Sequence, residues 1–197
     1  NGDLSRQQQQ QQSASGPHMG VLVDAGRHFF PMDWLYGLVD FLAVLGFDMI
    51  HFRLTDDQAF ALNLTGHPEL AVPAVPVGIE IESSRPQVYS PDELRLWVEY
   101  ASTKNIFIMP EVDIPGHAGS WFQIPGLLPP CPKFMCNKGS SVPLNVTNPR
   151  LLKVIASILK EVEDIFSTSP YLHLGGDEVH LGIRCYEEVL KDLSIRE

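Results

Sequence analysis

Four groups of charged and polar residues each directly follow a short apolar segment of this chain. They are Asp24-Ala-Gly-Arg27-His28, His51-Phe-Arg53-Leu-Thr-Asp56-Asp57-Gln58, Glu111-Val-Asp113-Ile-Pro-Gly-His117 and His173-Leu-Gly-Gly-Asp177-Glu178-Val-His180. Each group alone has an ordinary explanation, such as a solvated turn at Asp56-Asp57 or a half-buried histidine at His117. Core packing does not explain why charges recur after successive apolar segments. We therefore expect the four groups to converge on one site.

The adjacent carboxylates Asp177 and Glu178 are the strongest chemical candidates. Neighbouring side chains at a strand end point to different sides, so the two can take separate roles on one substrate. The preceding Gly175 and Gly176 let a ligand or a neighbouring strand approach the backbone closely. We expect one carboxyl to be partly desolvated, with a raised pKa, and to act as an acid while the other stays charged.

A metal site is the main chemical alternative. Six residues have side chains that can bind a divalent ion: Asp113, His117, His173, Asp177, Glu178 and His180. No compact His-x-x-x-His spacing occurs. The spacing therefore disfavours a metal site, and a metal-dependent hydrolase stays as the alternative.

Short apolar runs alternate with amphipathic stretches along the chain. The apolar runs at 20–24, 47–52, 106–109 and 171–174 predict strands. Predicted helices start at Pro31-Met-Asp33, at Ser90 with a capping box to Glu93, at Asn148-Pro149 and near Tyr186. This order predicts parallel β/α units, in either an open doubly wound sheet or a (β/α)8 barrel.

Two features favour the barrel. The long loops all follow strands, where barrel enzymes build their sites, and no glycine-rich phosphate-binding fingerprint follows the first strand. A full barrel takes about 250 residues. A chain of 197 residues is therefore expected to hold a (β/α)8 TIM barrel truncated to about its first four β/α units.

Composition divides the chain and limits its partners. Residues 1–18 contain six consecutive glutamines and are predicted to be disordered, leaving 19–197 as a partial barrel. The net charge of −10 argues against a nucleic-acid surface. No apolar run reaches the ~18 residues of a membrane span.

Cysteines and glycosylation sequons favour a lysosomal or secreted location. If a disulfide forms, one of Cys131, Cys136 and Cys185 stays unpaired. The sequons are Asn63-Leu-Thr65 and Asn145-Val-Thr147. No signal peptide is visible, and because the chain begins with Asn1 we expect it to be an internal piece of a longer product.

The four polar groups resemble, in order, the signatures of the β-N-acetylhexosaminidases, the hexosaminidase A and B type of glycoside hydrolase. Those signatures are Asp-x-x-Arg-His-Phe, His-x-His-x-x-Asp-Asp-Gln, Pro-Glu-x-Asp-x-Pro-Gly-His and His-x-Gly-Gly-Asp-Glu-Val. The resemblance spans roughly residues 20–190. Arg53 departs from it, because the family usually has histidine there. We expect this added cation to lower the pKa of nearby carboxylates.

The resemblance implies a (β/α)8 barrel that releases terminal N-acetylglucosamine or N-acetylgalactosamine from glycans, by a retaining reaction in which the substrate supplies the nucleophile. By the same resemblance Glu178 is the general acid and base, Asp177 orients the sugar's acetamido group, and Arg27 binds the 3- and 4-hydroxyls. It also implies a supporting network of Asp113, His117 and Asp56. No cofactor is implied.

The resemblance carries two further expectations. It implies a disulfide between Cys131 and Cys185, with Cys136 as a competing partner. In the family, later strands supply aromatic walls and a tyrosine, so this chain is expected to need a missing C-terminal half or a homodimer. The alternative function is an inactive or weakly sugar-binding relic of the same fold.

Overall fold

In the part of the chain that the structure describes, three parallel strands form a sheet in the order β1-β2-β3. They are β1 (Gly20–Asp24), β2 (Met49–Arg53) and β3 (Phe107–Glu111). The computed structural model describes residues 17–74, 87–129 and 141–176. Asp24, Arg53 and Glu111 lie side by side in register at the carboxyl end of the sheet. The predicted strands 20–24, 47–52 and 106–109 are confirmed, with bounds shifted by up to two residues.

Within residues 17–74, 87–129 and 141–176, three α-helices follow the strands in the predicted order: α1 (Met32–Leu45), α2 (Pro91–Thr103) and α3 (Leu151–Ile165). Gly46 ends α1 in the left-handed conformation, with φ of 79°. The predicted capping box of α2 is present, since Ser90 and Glu93 each accept the other's backbone N–H. Two 3₁₀ helices, Pro68–Leu70 and Gly119–Gln123, lie within the long loops.

The predicted start of α3 at Asn148-Pro149 is wrong by two residues. Asn148 instead closes a turn before the helix: its Oδ1 accepts the Arg150 N–H at 2.9 Å and its carbonyl accepts the Leu151 N–H at 3.0 Å. Asparagine side chains favour such local bonds over helical geometry.

The two faces of the sheet differ in burial because strand side chains alternate. On one face, Ile50, Phe52 and Ile108 are fully buried beneath the helices. Trp97 of α2 packs edge-to-face on Phe52 at 5.0 Å, and its Nε1 donates to the Leu35 carbonyl of α1 at 3.1 Å. The ring contact holds α2 on the sheet, and the hydrogen bond holds α1 against α2.

The opposite face is apolar in its middle and charged at its carboxyl end. Leu22 of β1 is 57% exposed, and its register partners His51 and Met109 are half-buried. One step further along, Arg53 and Glu111 are buried. The charged groups therefore concentrate where the strands end.

The predicted strand at 171–174 is wrong in extent, since that segment makes a single parallel bridge, between His173 and Glu111. The His173 N–H donates to the Pro110 carbonyl at 2.9 Å, and the Val112 N–H donates to the His173 carbonyl at 3.1 Å. On one side Tyr171, the next residue that could pair with β3, bonds instead to the Ser169 hydroxyl: its carbonyl accepts from Oγ at 2.8 Å and its N–H donates to Oγ at 3.3 Å. On the other side Gly175 turns the chain away with φ of 65°.

Several predictions fall outside the described residues. These are the glutamine tract, the three cysteines with the Cys131–Cys185 disulfide, the catalytic pair Asp177 and Glu178, and the helix near Tyr186. The predicted disorder of residues 1–18 is wrong at His18, because this residue packs against the sheet, 2.8 Å from the Asp48 carboxylate and edge-on to Phe107. No helix in the described ranges is long and apolar enough to cross a membrane.

Candidate active site

A buried cluster of charges joins the loops that follow the three strands. Arg53 lies at its centre: Nη1 is 2.9 Å from Glu111 Oε1, and Nη2 is 2.7 Å from both Asp56 Oδ2 and Asp113 Oδ2. The guanidinium side chain is 10% exposed, and the three carboxylates are 3% exposed or less. Burial alone would lower the pKa of Arg53, but the charges of Asp56 and Asp113 outweigh it and raise that pKa.

Asp56 accepts donors from three segments. Its Oδ2 lies 2.8 Å from Nη2 of Arg27, in addition to Arg53. Its Oδ1 accepts the Asp57 N–H at 2.7 Å and lies 3.2 Å from Nδ1 of His117. At 1% exposed, Asp56 is not part of a solvated turn. The expected neighbourhood of Asp56, Asp113 and His117 is present.

Arg27 lies at the mouth of the cluster. Asp24 accepts its backbone N–H at 3.1 Å and its Nη1 at 2.9 Å, while Asp56 holds Nη2. The arginine side chain is nevertheless 48% exposed. A guanidinium that is oriented at two positions and still accessible can offer its remaining donors to hydroxyl groups of a ligand.

Asp113 connects the cluster to the Gly175–Gly176 turn. Its Oδ1 accepts the Gly176 N–H at 3.0 Å. A Cβ atom at Gly175 would lie 1.8 Å from the same oxygen, and the two glycines have φ of 65° and 101°. Glycine is therefore required here both for close approach and for the left-handed backbone. The prediction that these glycines permit close approach by a neighbouring segment is confirmed.

Asp57 holds the third loop together. Its Oδ1 accepts the backbone N–H groups of Gly119 at 2.8 Å and Val142 at 3.0 Å. Burial raises the pKa of Asp57 and the neighbouring Asp56 charge adds to the rise, while the two N–H donors oppose it. Its contacts support the loop that carries His117 rather than the mouth of the site.

Glu111 also contacts two histidines, His51 and His173. The imidazole rings lie 4.7 Å apart. The pKa of His51 is lowered, chiefly by burial and further by the charges of His173 and Arg53, while the Glu111 carboxylate opposes the fall. Sequence reasoning named His173 only as a possible metal ligand, and it assigned no role to His51 or Glu111. Arg53 and Glu111 lie in register at the ends of neighbouring strands, and that register is the signal that could have pointed to Glu111 and the histidines beside it.

Two groups of side chains each bring three metal-ligating atoms within 4.8 Å of one another: His51, Glu111 and His173, and Asp56, Asp57 and His117. Each group contains a carboxylate that Arg53 already binds. A divalent ion at either place would lie close to a fixed, buried positive charge, which opposes its binding. The donor sets in the described ranges therefore fit a metal poorly.

Both glycosylation sequons lie within the described residues. Asn63 is exposed. Asn145 is half-buried; its Oδ1 accepts the Thr147 hydroxyl at 2.7 Å and its Nδ2 donates to the Gly126 carbonyl at 3.4 Å. The acceptor nitrogen of Asn145 is therefore engaged in the folded chain.

Comparison with known proteins identifies the class of protein to which this parallel α/β fold belongs. The model of the glycosyl hydrolase family 20 catalytic domain matches residues 17–191. The chain belongs to this family, whose catalytic domain is a TIM barrel. The resemblance drawn from the four polar groups is confirmed.

Curated relatives and solved structures agree. The chain is 32% identical over 171 residues to human β-hexosaminidase subunit beta, covering 86% of this chain and 29% of that protein. It is also 32% identical over 167 residues to β-hexosaminidase subunit A1 of Dictyostelium discoideum, covering 84% and 30%. The chain thus spans about three-tenths of these relatives.

Among solved structures, a β-N-acetylhexosaminidase matches with a TM-score of 0.73 at 28% identity, covering 93% of this chain and 41% of that one. The chitobiase of Flavobacterium johnsoniae matches with a TM-score of 0.70 at 25% identity, covering 92% and 27%.

Proposed function

We propose that this chain carries the acid–base half of a β-N-acetylhexosaminidase site, which releases terminal N-acetylglucosamine or N-acetylgalactosamine from the non-reducing ends of glycans. The observation that carries the proposal is the Asp113–Gly176 hydrogen bond. It anchors the peptide that directly precedes Asp177 and Glu178 to Asp113, whose other carboxylate oxygen binds Arg53. No metal or cofactor takes part.

In the first step of the proposed reaction, Glu178 protonates the glycosidic oxygen as the bond to the anomeric carbon breaks. The carbonyl oxygen of the substrate's 2-acetamido group attacks that carbon and closes an oxazolinium ring. Asp177 accepts the acetamido N–H, which orients the nucleophile and offsets the developing positive charge. Arg27 donates to the 3- and 4-hydroxyls of the same sugar.

In the second step, the Glu178 carboxylate removes a proton from water, and the hydroxide oxygen attacks the anomeric carbon. The ring opens, the acetamido group is restored, and Glu178 is again protonated. Two displacements at one carbon retain its configuration. Asp113, His117 and Asp56 support the pair by fixing the turn and the loops around it.

The open face of the sheet indicates how the site is completed. Leu22 is 57% exposed and Met109 half-buried, although both lie on the face that points into a barrel. We propose that residues 19–197 hold the first four β/α units of a barrel. Further barrel strands, from a C-terminal half or a second copy, then cover this face.

The substrate's own acetamido group provides the test. The chain is incubated with chromogenic N-acetyl-β-glucosaminide, N-acetyl-β-galactosaminide and the β-glucoside that lacks the acetamido group. We expect turnover of an N-acetylated substrate with the β-anomer released first, no turnover of the glucoside, and no effect of a chelator. Binding of N-acetylglucosamine without turnover would instead support the sugar-binding relic.

A lysosomal or secreted location predicts N-linked glycan on Asn63. The Asn63 side chain is exposed, whereas the Asn145 nitrogen is engaged with Gly126. Expressed through a secretory pathway, the chain should lose mass on endoglycosidase treatment. We expect Asn63→Gln to abolish that shift and Asn145→Gln to leave most of it. A full shift in Asn63→Gln would contradict the assignment.

A further inference from the structure

Arg53 makes contacts that an imidazole at the same position cannot reproduce. One planar guanidinium spans Asp56, Asp113 and Glu111 at 2.7 to 2.9 Å. A histidine has two ring nitrogens at a shorter reach, so it cannot bridge three carboxylates. Carboxylates left buried without a cation are strongly destabilising. The cluster is therefore built for the arginine, where the resembling signature has histidine.

Asp113 links Arg53 to the Gly175–Gly176 turn, so the position of that turn depends on the position of Arg53. Asp113 Oδ2 binds Arg53, and Oδ1 accepts the Gly176 N–H. The Asp113 backbone N–H donates to Thr55 Oγ1 at 3.1 Å, which fixes the other end of the residue. A rotation of the Asp113 carboxylate would move the Gly176 peptide with it.

We propose that Arg53 is a positioning residue, which fixes the Asp113 carboxylate and through it the Gly175–Gly176 turn that presents Asp177 and Glu178. The proposal rests on the function proposed for those two carboxylates. Arg53 does not touch the sugar. It acts by holding the turn against the mutual repulsion of Asp56, Asp113 and Glu111.

The positive charge of Arg53 persists across the working pH range. Its pKa is raised, because the Asp56 and Asp113 charges outweigh the opposing effect of burial. Three carboxylates contact Arg53 directly: Asp56, Glu111 and Asp113. Asp24 lies beside Arg53 in register on the neighbouring strand. Arg27 and His117 contact Asp56, and His51 and His173 contact Glu111. An arginine stays protonated beside all of them at any working pH.

The substitution Arg53→His replaces the permanent cation at position 53 with one that titrates. Below the pKa of the new histidine, ordinarily about 6.5, an imidazolium still offsets part of the carboxylate charge. As the pH rises through that pKa the cation is lost, the carboxylates repel one another, and the turn moves. We therefore expect kcat of Arg53→His to fall with rising pH in a range where wild-type activity does not depend on residue 53.

The test combines kinetics with a readout that needs no turnover. Wild type, Arg53→Lys, Arg53→His and Asp113→Asn are labelled with ¹⁵N-glycine, and the Gly176 amide signal is followed by NMR. Arg95→Lys is the matched control, because the Arg95 side chain is 43% exposed and pairs at 2.8 Å with Asp92 of the same helix rather than with a residue of the cluster. Each variant is assayed across pH on the N-acetylated substrate.

We expect Arg53→Lys to lower kcat by about 10- to 100-fold with a smaller change in KM, as misplacement of catalytic groups does. The Gly176 signal should move in all three site variants and stay in Arg95→Lys. An unmoved Gly176 signal in a folded Arg53 variant, or wild-type kcat in Arg53→Lys, would overturn the proposal. If wild type does not hydrolyse the substrate, the proposed function fails, and the Gly176 signal still decides the role of Arg53.

Discussion

Glu178→Gln is expected to lower kcat on an N-acetylglucosaminide by about 10²- to 10⁴-fold, the range that removal of a general acid–base group produces. Glutamine keeps the size of the side chain but has no proton to give to the glycosidic oxygen and cannot take one from water. KM should change less, because the sugar is held by Arg27 and Asp177 in the proposed complex.

Substrates with different leaving groups distinguish the loss of the general acid in Glu178→Gln from a general disturbance of the fold. An aryl glycoside with an acidic phenol needs little protonation to depart, so its bond cleavage should suffer less than that of a chitobiose-type substrate. Glu163→Gln is the matched control, since the Glu163 side chain is 70% exposed on α3. Equal losses on both substrates, or a loss in the control, would contradict the role of Glu178.

Gly175→Ala adds one methyl group, and we expect it to disturb the described site more than a methyl group added at any other position there. The new Cβ would lie 1.8 Å from Asp113 Oδ1 at a residue whose φ is 65°. The left-handed backbone alone costs about 1–2 kcal/mol for an L-residue, and the overlap adds to it. Either the turn or the Asp113 carboxylate must move, so we expect activity to be lost together with stability.

Gly37→Ala provides the control for this change. Gly37 lies within α1, and an added Cβ there meets nothing within 4 Å. Alanine in a helix interior is more stable than glycine by about 0.5–1 kcal/mol. Urea unfolding should therefore show a lower free energy of unfolding for Gly175→Ala and a higher one for Gly37→Ala. An active, fully stable Gly175→Ala would show that the turn is not anchored as described.

The local elements follow from nearest-neighbour chemistry, which is why the sequence predicts them. Ser90 and Glu93 cap α2 through bonds across a single turn, and Gly46 ends α1 through its own backbone conformation. Where a local alternative competes, as Asn148 does before α3, the predicted boundary shifts. The segment at 171–174 failed as a strand because pairing depends on the flanking residues as well as on an apolar run.

By itself, the sequence determined the parallel β/α class, the family and the convergence of Arg27, Asp56, Asp113 and His117, since these depend on strand order and on residue spacing within motifs. Only the tertiary structure decided what Arg53 does. Its side chain contacts Glu111 and Asp113, 58 and 60 residues away. Arg53 meets Glu111 because β2 and β3 pair in register, and it meets Asp113 because the loop after β3 brings that residue to the cluster. A buried charge takes its role from the groups that surround it in space, and spacing along the chain does not specify them.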